Sequence, residues 1–262
     1  MNPVISEFSY GFAVVNELVN WPGGQLTAAP LFPSLRREAR LGYDVRLDKP
    51  GLPLFLQFKL SDFMVRNNAK EIRDGHFPRG SNFYRMYLRN GNPSSQHNRL
   101  IALEDAGEMV FYVAPAFHSL SELTDYFLGR SVCTNSIFVR PSFEGSQGRF
   151  NDSQEHHISF MLDGPWFFYS EPKELRVDFG FKKFGLEVEA SLEKIGDIPL
   201  AEKVNIVLER LISLLRMTKE YRGLSRMEMV LGMIEEGKAR GDKEYNARAV
   251  SIMCGLAKIR GP

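Results

Sequence analysis

Apolar side chains recur at helical spacing near the start of the chain. Ile5, Phe8, Phe12, Val15 and Val19 share a face of a helix over Val4–Val19, and Asn20-Trp21-Pro22-Gly23-Gly24 ends it. Beyond a proline-punctuated loop, Ser34 caps a short helical turn through Arg40. The period then drops to two. Tyr43-Asp44-Val45-Arg46-Leu47 alternates, Asp48-Lys49-Pro50-Gly51 is turn chemistry, and Pro53–Leu60 is a second strand, so the pair predicts an antiparallel hairpin. Met64–Asn92 is read as irregular and basic. A helix over Gln96–Ala106, capped by Ser94 or Ser95, buries Leu100 and Leu103 and stops near Gly107. Val110–Ala114 is a buried strand closed by Pro115, Leu120–Leu128 a short helix capped by Ser119 or Ser121, and Ile137–Val139, His157–Leu162 and Trp166–Tyr169 are further short strands. From Ala201 the pattern is helical again, with Val204, Val207, Leu208, Leu211, Leu214 and Leu215 on one face, and the tail over Ser225–Ile259 continues as helices broken by Gly232, Gly237 and Gly241. The expected organisation is a mixed α/β domain over 1–195 followed by a helical C-terminal extension over 196–262.

Composition narrows the classes without choosing among them. With 44% apolar and 25% charged residues the chain has core enough for a globular domain, and its longest apolar run falls short of the ~20 residues that span a bilayer. No membrane partner is therefore expected. The start MNPVISEF lacks the basic and apolar regions of a secretory signal, and two cysteines, Cys133 and Cys254, suit a reducing cytoplasm as ordinary buried thiols. A formal net charge of +1 leaves any nucleic-acid interaction to local patches.

The hairpin carries the chemistry. Gln57 and Lys59 are two apart on the second strand and project from one face, whereas Phe58 projects into the core; Asp44 on the first strand can stand beside that face, in a groove along the first helix. A carboxylate, an amide oxygen and an ammonium in one volume suit phosphodiester hydrolysis. The oxygens hold Mg2+ or Mn2+ against a phosphate, while the lysine orients the attacking water and offsets developing charge.

The order of a helix with an internal Glu17, then Gly42-Tyr43-Asp44, a turn, Gln57-Phe58-Lys59, a crossover helix and a further strand resembles the PD-(D/E)xK nuclease superfamily. Within it, the match is to the Mrr-type branch in which Gln replaces the second acid, giving D…QxK. The resemblance covers about residues 5–115 and implies a restriction-endonuclease-like fold, a mixed sheet flanked by helices. It implies that Asp44 and Gln57 hold the metal, that Lys59 is catalytic, and that Glu17 completes the site. It further implies DNA as substrate and, by analogy of fold, a role in defence against foreign DNA. A non-catalytic binding module or sensor that keeps the nuclease fold is the alternative, because Gln57 contributes no charge.

Four further features bear on partners. Arg66–Arg89 interleaves Arg73, Arg79 and Arg85 with Phe77, Phe83, Tyr84 and Tyr87, a pattern that suits phosphate neutralisation with base stacking, or a solvated loop anchored by its aromatics. Gln96-His97 opens a helix and can face the site or simply be exposed. Glu155-His156-His157 does not build a metal site, because adjacent strand histidines face opposite ways. The methionines of the C-terminal helices offer a surface for a second copy or a partner protein, or pack on the chain's own body.

Overall fold

The computed structural model describes residues 1–21, 25–34, 41–50, 52–89, 95–143, 155–169, 173–175 and 179–196. The chain divides into two compact units, Met1–Ser191 and Leu192–Pro262, and the architecture below is that of the first. The expected turn over 35–40, the C-terminal helices and methionines from 201 onward, and Cys254 lie outside the described residues. Among the described residues, no helix is long and apolar enough to cross a membrane.

The unit is α/β, with two sheets and flanking helices. The first sheet runs β1-β2-β5-β6, built from β1 (Val45–Lys49), β2 (Leu52–Phe58), β5 (Met109–Pro115) and β6 (Ser136–Val139). As expected, β1 and β2 form an antiparallel hairpin, paired from Val45 opposite Leu56 to Lys49 opposite Leu52. β2 and β5 are parallel, with Gln57 beside Tyr112 and Phe58 beside Val113, and β6 returns antiparallel to β5. Parallel neighbours buried on both faces read as continuous apolar runs, which is why every residue of β5 is buried. On the outer edge of β1, Leu31 makes a single antiparallel bridge to Arg46.

Phe58 determines where the first helix packs. In α1 (Glu7–Val19), capped by Ser6, the buried residues are Tyr10, Gly11, Ala13, Val14, Val15 and Leu18. Tyr10 meets the Phe58 ring edge-on at 6.0 Å. A Cβ at Gly11 would fall 2.7 Å from Phe58 Cδ2, so only glycine admits this approach. The helix is where the spacing put it, but its inward face is only partly the expected one: Ile5 and Val15 are buried, whereas Phe8, Phe12 and Val19 are exposed. Phe8 is 81% and Phe12 55% exposed, because the helix turns its Gly11 side against the Phe58 ring.

The second sheet is antiparallel, β3-β4-β7-β8-β9, and it corrects the reading of Met64–Asn92 as irregular. β3 (Ser61–Met64) begins after only Lys59 and Leu60, a one-turn helix α2 (Lys70–Arg73) follows, and β4 (Phe83–Arg89) pairs with β3 and with β7 (His156–Phe160). β8 (Trp166–Tyr169) and β9 (Lys173–Leu175) complete it. Between β4 and β7 the chain re-enters the first sheet through α3 (Ser95–Asp105), which buries Leu100 and ends before Gly107 at positive φ. The last two helices among the described residues are α4 (Leu120–Leu128), held at its start by a Ser119–Glu122 capping box, and α5 (Phe181–Gly196), whose Phe184 stacks on Phe138 of β6. α1 and α5 cover the face of the first sheet that carries Phe58 and Phe138. α3 covers the opposite face, with His97 hydrogen-bonded to Tyr112 at 3.0 Å.

Candidate functional site

Alternation along β2 sends Gln57 away from Phe58 and therefore away from α1. The expected groove beside the first helix is accordingly not where Gln57 sits: it faces α3 instead. Asp44, immediately before β1, is held in register by its backbone N–H, which donates to Leu56 O at 2.9 Å. Its Oδ2 accepts from Gln57 Nε2 at 2.7 Å and from the backbone N–H of Phe58 at 2.6 Å. Gln57 Oε1 accepts in turn from Gln96 Nε2 at 3.0 Å, and Gln96 Oε1 accepts from Lys59 Nζ at 3.0 Å. Asp44, Gln57 and Lys59 thus converge as their spacing suggested, and Gln96, from the first turn of α3, links them.

Polarity runs one way through this chain of bonds. A carboxylate only accepts and an ammonium only donates, so both carboxamides between Asp44 and Lys59 have one self-consistent orientation. Gln57 must turn its nitrogen toward Asp44 and its oxygen toward Gln96. The same nitrogen also donates to the Phe58 carbonyl at 3.1 Å. Two oxygens, Asp44 Oδ2 and Phe58 O, therefore close on a single partly positive NH2 group. Oxygen-only donors that gather around a positive group are the chemistry a hard cation selects, so the residues fit Mg2+ or Mn2+ in donor type, with one formal negative charge. Among the described residues no group of three or more His, Cys, Asp or Glu side chains is placed to hold a metal ion. Beneath the site, burial pushes the Tyr112 hydroxyl up, and the Asp44 charge adds to that shift. His97 is fully buried against Tyr112 and Phe143 rather than exposed at a helix start.

Glu17 does not join this network. Its carboxylate accepts from the backbone N–H of Cys133 at 3.2 Å, on the α1 side of the sheet, where Tyr10 also bonds Ser136 at 2.8 Å. The Phe58–Gly11 contact that orients α1 is the reason. Cys133 is buried as expected, and burial pushes its thiol up.

The basic segment separates into unlike parts. Arg73 and Arg79 are exposed. Arg85 is not a free phosphate ligand: its guanidinium is bidentate to Glu71, at 2.6 and 2.7 Å from Nη2 and 2.9 Å from Nε, and also donates to Tyr87 Oη. Glu71 is fully buried under the second sheet, where Ser159 donates to it at 2.7 Å and His157 Nε2 lies 3.4 Å away. Burial pushes the Glu71 carboxyl up, but His157, Ser159 and Arg85 outweigh it and hold the group at about 2. His157 stacks on Tyr169, and His156, on the other face of β7, stacks on Phe168, as adjacent strand residues must. In the sequence Glu71 reads only as one acid offsetting six basic residues. An acid inside an aromatic-rich basic stretch is the signal that would have found this pair.

No protein-family model, curated protein or solved structure matches this chain.

Proposed function

We propose that the chain is a divalent-metal-dependent nuclease acting on DNA, with a restriction-endonuclease-like core formed by α1, the β1–β2 hairpin, α3 and β5. The observation that carries this reading is the convergence of Asp44, the Phe58 carbonyl, Gln57 and Lys59 on one strand face. Supporting it, the isolated Leu31–Arg46 bridge lies on the edge where such a core has its first strand, and α3 crosses over to a parallel β5. The second sheet is an insertion between the QxK strand and the crossover helix. Asp44, Phe58 O and Gln57 would hold Mg2+ or Mn2+, which when bound polarises a phosphate oxygen and offsets its charge. Lys59 donates toward the attacked phosphate and orients the water. Exposed Arg73 and Arg79 neutralise backbone phosphates, and defence against foreign DNA is the biological setting the family suggests. Glu17 has no part in this version of the site.

One observation favours the alternative, a nucleic-acid- or protein-binding module that keeps the fold without catalysis. The Gln57 NH2 group already occupies Asp44 Oδ2 and Phe58 O, two of the oxygens that would hold a cation, and among the described residues the site has a single formal negative charge. Cleavage assays decide between the two. Purified protein is expected to nick or cut DNA with Mg2+ or Mn2+ and not with EDTA, and Asp44→Asn and Lys59→Met should each lower the rate by at least ~100-fold, the scale for losing a preorganised charged group. A wild-type protein inert with every divalent ion, on single- and double-stranded DNA alike, would leave the binding module as the function.

A further inference from the structure

The Asp44–Gln57–Gln96–Lys59 chain of hydrogen bonds has a consequence for how the site is switched on. A cation cannot share Asp44 Oδ2 and Phe58 O with the Gln57 nitrogen, which stands 2.7 and 3.1 Å from them. To admit a cation, Gln57 must turn its carboxamide over, oxygen toward Asp44. Its NH2 then meets the NH2 of Gln96 across a contact of 3.0 Å, donor against donor. Relief requires Gln96 to turn as well, which points its NH2 at the Lys59 ammonium, now 3.0 Å from Gln96 Oε1. That last contact is repulsive, so Lys59 leaves. The network therefore has two self-consistent states, one with the lysine held and one with it released. Their exchange needs only side-chain rotations.

We infer that Gln96 is a positioning residue that couples cation entry beside Asp44 to release of Lys59. This rests on the nuclease reading, in that Asp44 must hold a cation. Before a cation is present Gln96 holds the lysine; once Gln57 turns, the ammonium is free for the water or the scissile phosphate. The coupling also weakens the cation affinity of the site, because its entry breaks hydrogen bonds along the whole chain.

The test follows amine-selective acetylation of Lys59, read by mass spectrometry relative to exposed Lys70, with and without Mg2+, alongside Mn2+ binding followed by water-proton relaxation. In the wild type, Lys59 labelling is expected to rise with Mg2+. Gln96→Met keeps the side-chain length but neither donates nor accepts at its end. There Lys59 should label strongly from the outset with no response to Mg2+, and Mn2+ should bind about five-fold tighter, the equivalent of one net hydrogen bond no longer broken. Gln96→Glu keeps an acceptor for Lys59 but has no donor for Gln57, so Lys59 should stay protected with or without Mg2+. The two variants thus lose the response from opposite baselines. A role confined to packing predicts neither baseline, and Gln96→Glu carries the test if Gln96→Met does not fold. If the wild type binds Mn2+ but Lys59 labelling is unchanged by Mg2+, or if Gln96→Met keeps the wild-type response, the coupling is wrong while the metal site stands. Mn2+ binding by Gln96→Met but not by the wild type supports the coupling, as a lock strong enough to exclude the ion. If neither protein binds Mn2+, the coupling and the nuclease reading fall together.

Discussion

The Asp44–Lys59 pair of the first sheet and the Glu71–Arg85 pair of the second both place a carboxylate and a basic side chain on one sheet face. In the second sheet the two groups touch, at 2.6 Å, with the carboxylate fully buried and the guanidinium fork closed on it. In the first sheet two carboxamides stand between the charges, and every distance along the relay is an ordinary hydrogen bond. Direct contact in a low-dielectric interior commits each ion to the other, since removing either leaves a bare buried charge. Separation through rotatable amides leaves both ends able to change partner at the cost of a few side-chain turns. The relay suits a site that must accept a ligand, and the direct contact suits a pin that holds α2 on its sheet.

Stability should divide the two pairs most sharply. Glu71→Gln retains size but leaves the part-buried Arg85 guanidinium without its counter-charge, and is expected to cost about 3 kcal/mol in denaturant unfolding. Asp44→Asn still accepts hydrogen bonds, from Gln57 and the Phe58 N–H, and should cost about 1 kcal/mol while abolishing the chemistry. The double variant Glu71→Leu with Arg85→Met should recover most of the loss, because an apolar pair of similar volume replaces a pair that is costly to desolvate. Equal losses at Asp44 and Glu71 would erase the distinction between switch and pin.

Acid titration sharpens the same contrast. The Glu71 carboxyl is held at about 2, below its ordinary value of 4.5, so its ionised form contributes stability fully above about pH 4.5 and loses it as pH falls through about 2. Melting temperature should therefore drop across that window in the wild type and in Asp44→Asn. In Glu71→Gln this component should be missing, and the curve across the window correspondingly flatter. A drop of the same size in Glu71→Gln would assign the acid sensitivity to other carboxylates.

The hairpin was legible because its information is local: alternation sets the faces, and the two-residue spacing of Gln57 and Lys59 makes them neighbours whatever surrounds them. The capped α4 and the turn at Gly107 were legible for the same reason. What sequence alone did not show depended on partners distant along the chain. Gly11 is an unremarkable helix residue until Phe58 lies against it, and that contact decides which face α1 buries, where Glu17 points and which side of the sheet the site occupies. β4 was hidden by its own Arg85, whose charge reads as solvent-exposed when Glu71, fourteen residues earlier, is not known to stand beneath it. Gln96 showed a place at a helix start, but its role came from the parallel pairing of β2 with β5, which brings α3 over Gln57.

The smallest expected effects concern the exposed arginines, and they ask whether the second sheet contributes anything to DNA besides its pin. If Arg73 and Arg79 lie on the path of the backbone, changing each to Ala should weaken binding and flatten the dependence of log K on log salt by about one unit per lost phosphate contact, with little change in unfolding. Arg85 should behave in the opposite way. Arg85→Lys keeps the charge but loses the two-pronged grip on Glu71, so it should lower stability and leave the salt slope of the surviving folded protein as it was. A fall in slope with Arg85→Lys would mean that the guanidinium reaches phosphate despite its bond to Glu71. No change with Arg73→Ala and Arg79→Ala would confine DNA contact to the hairpin face, where Lys59 emerges at the corner between the two sheets.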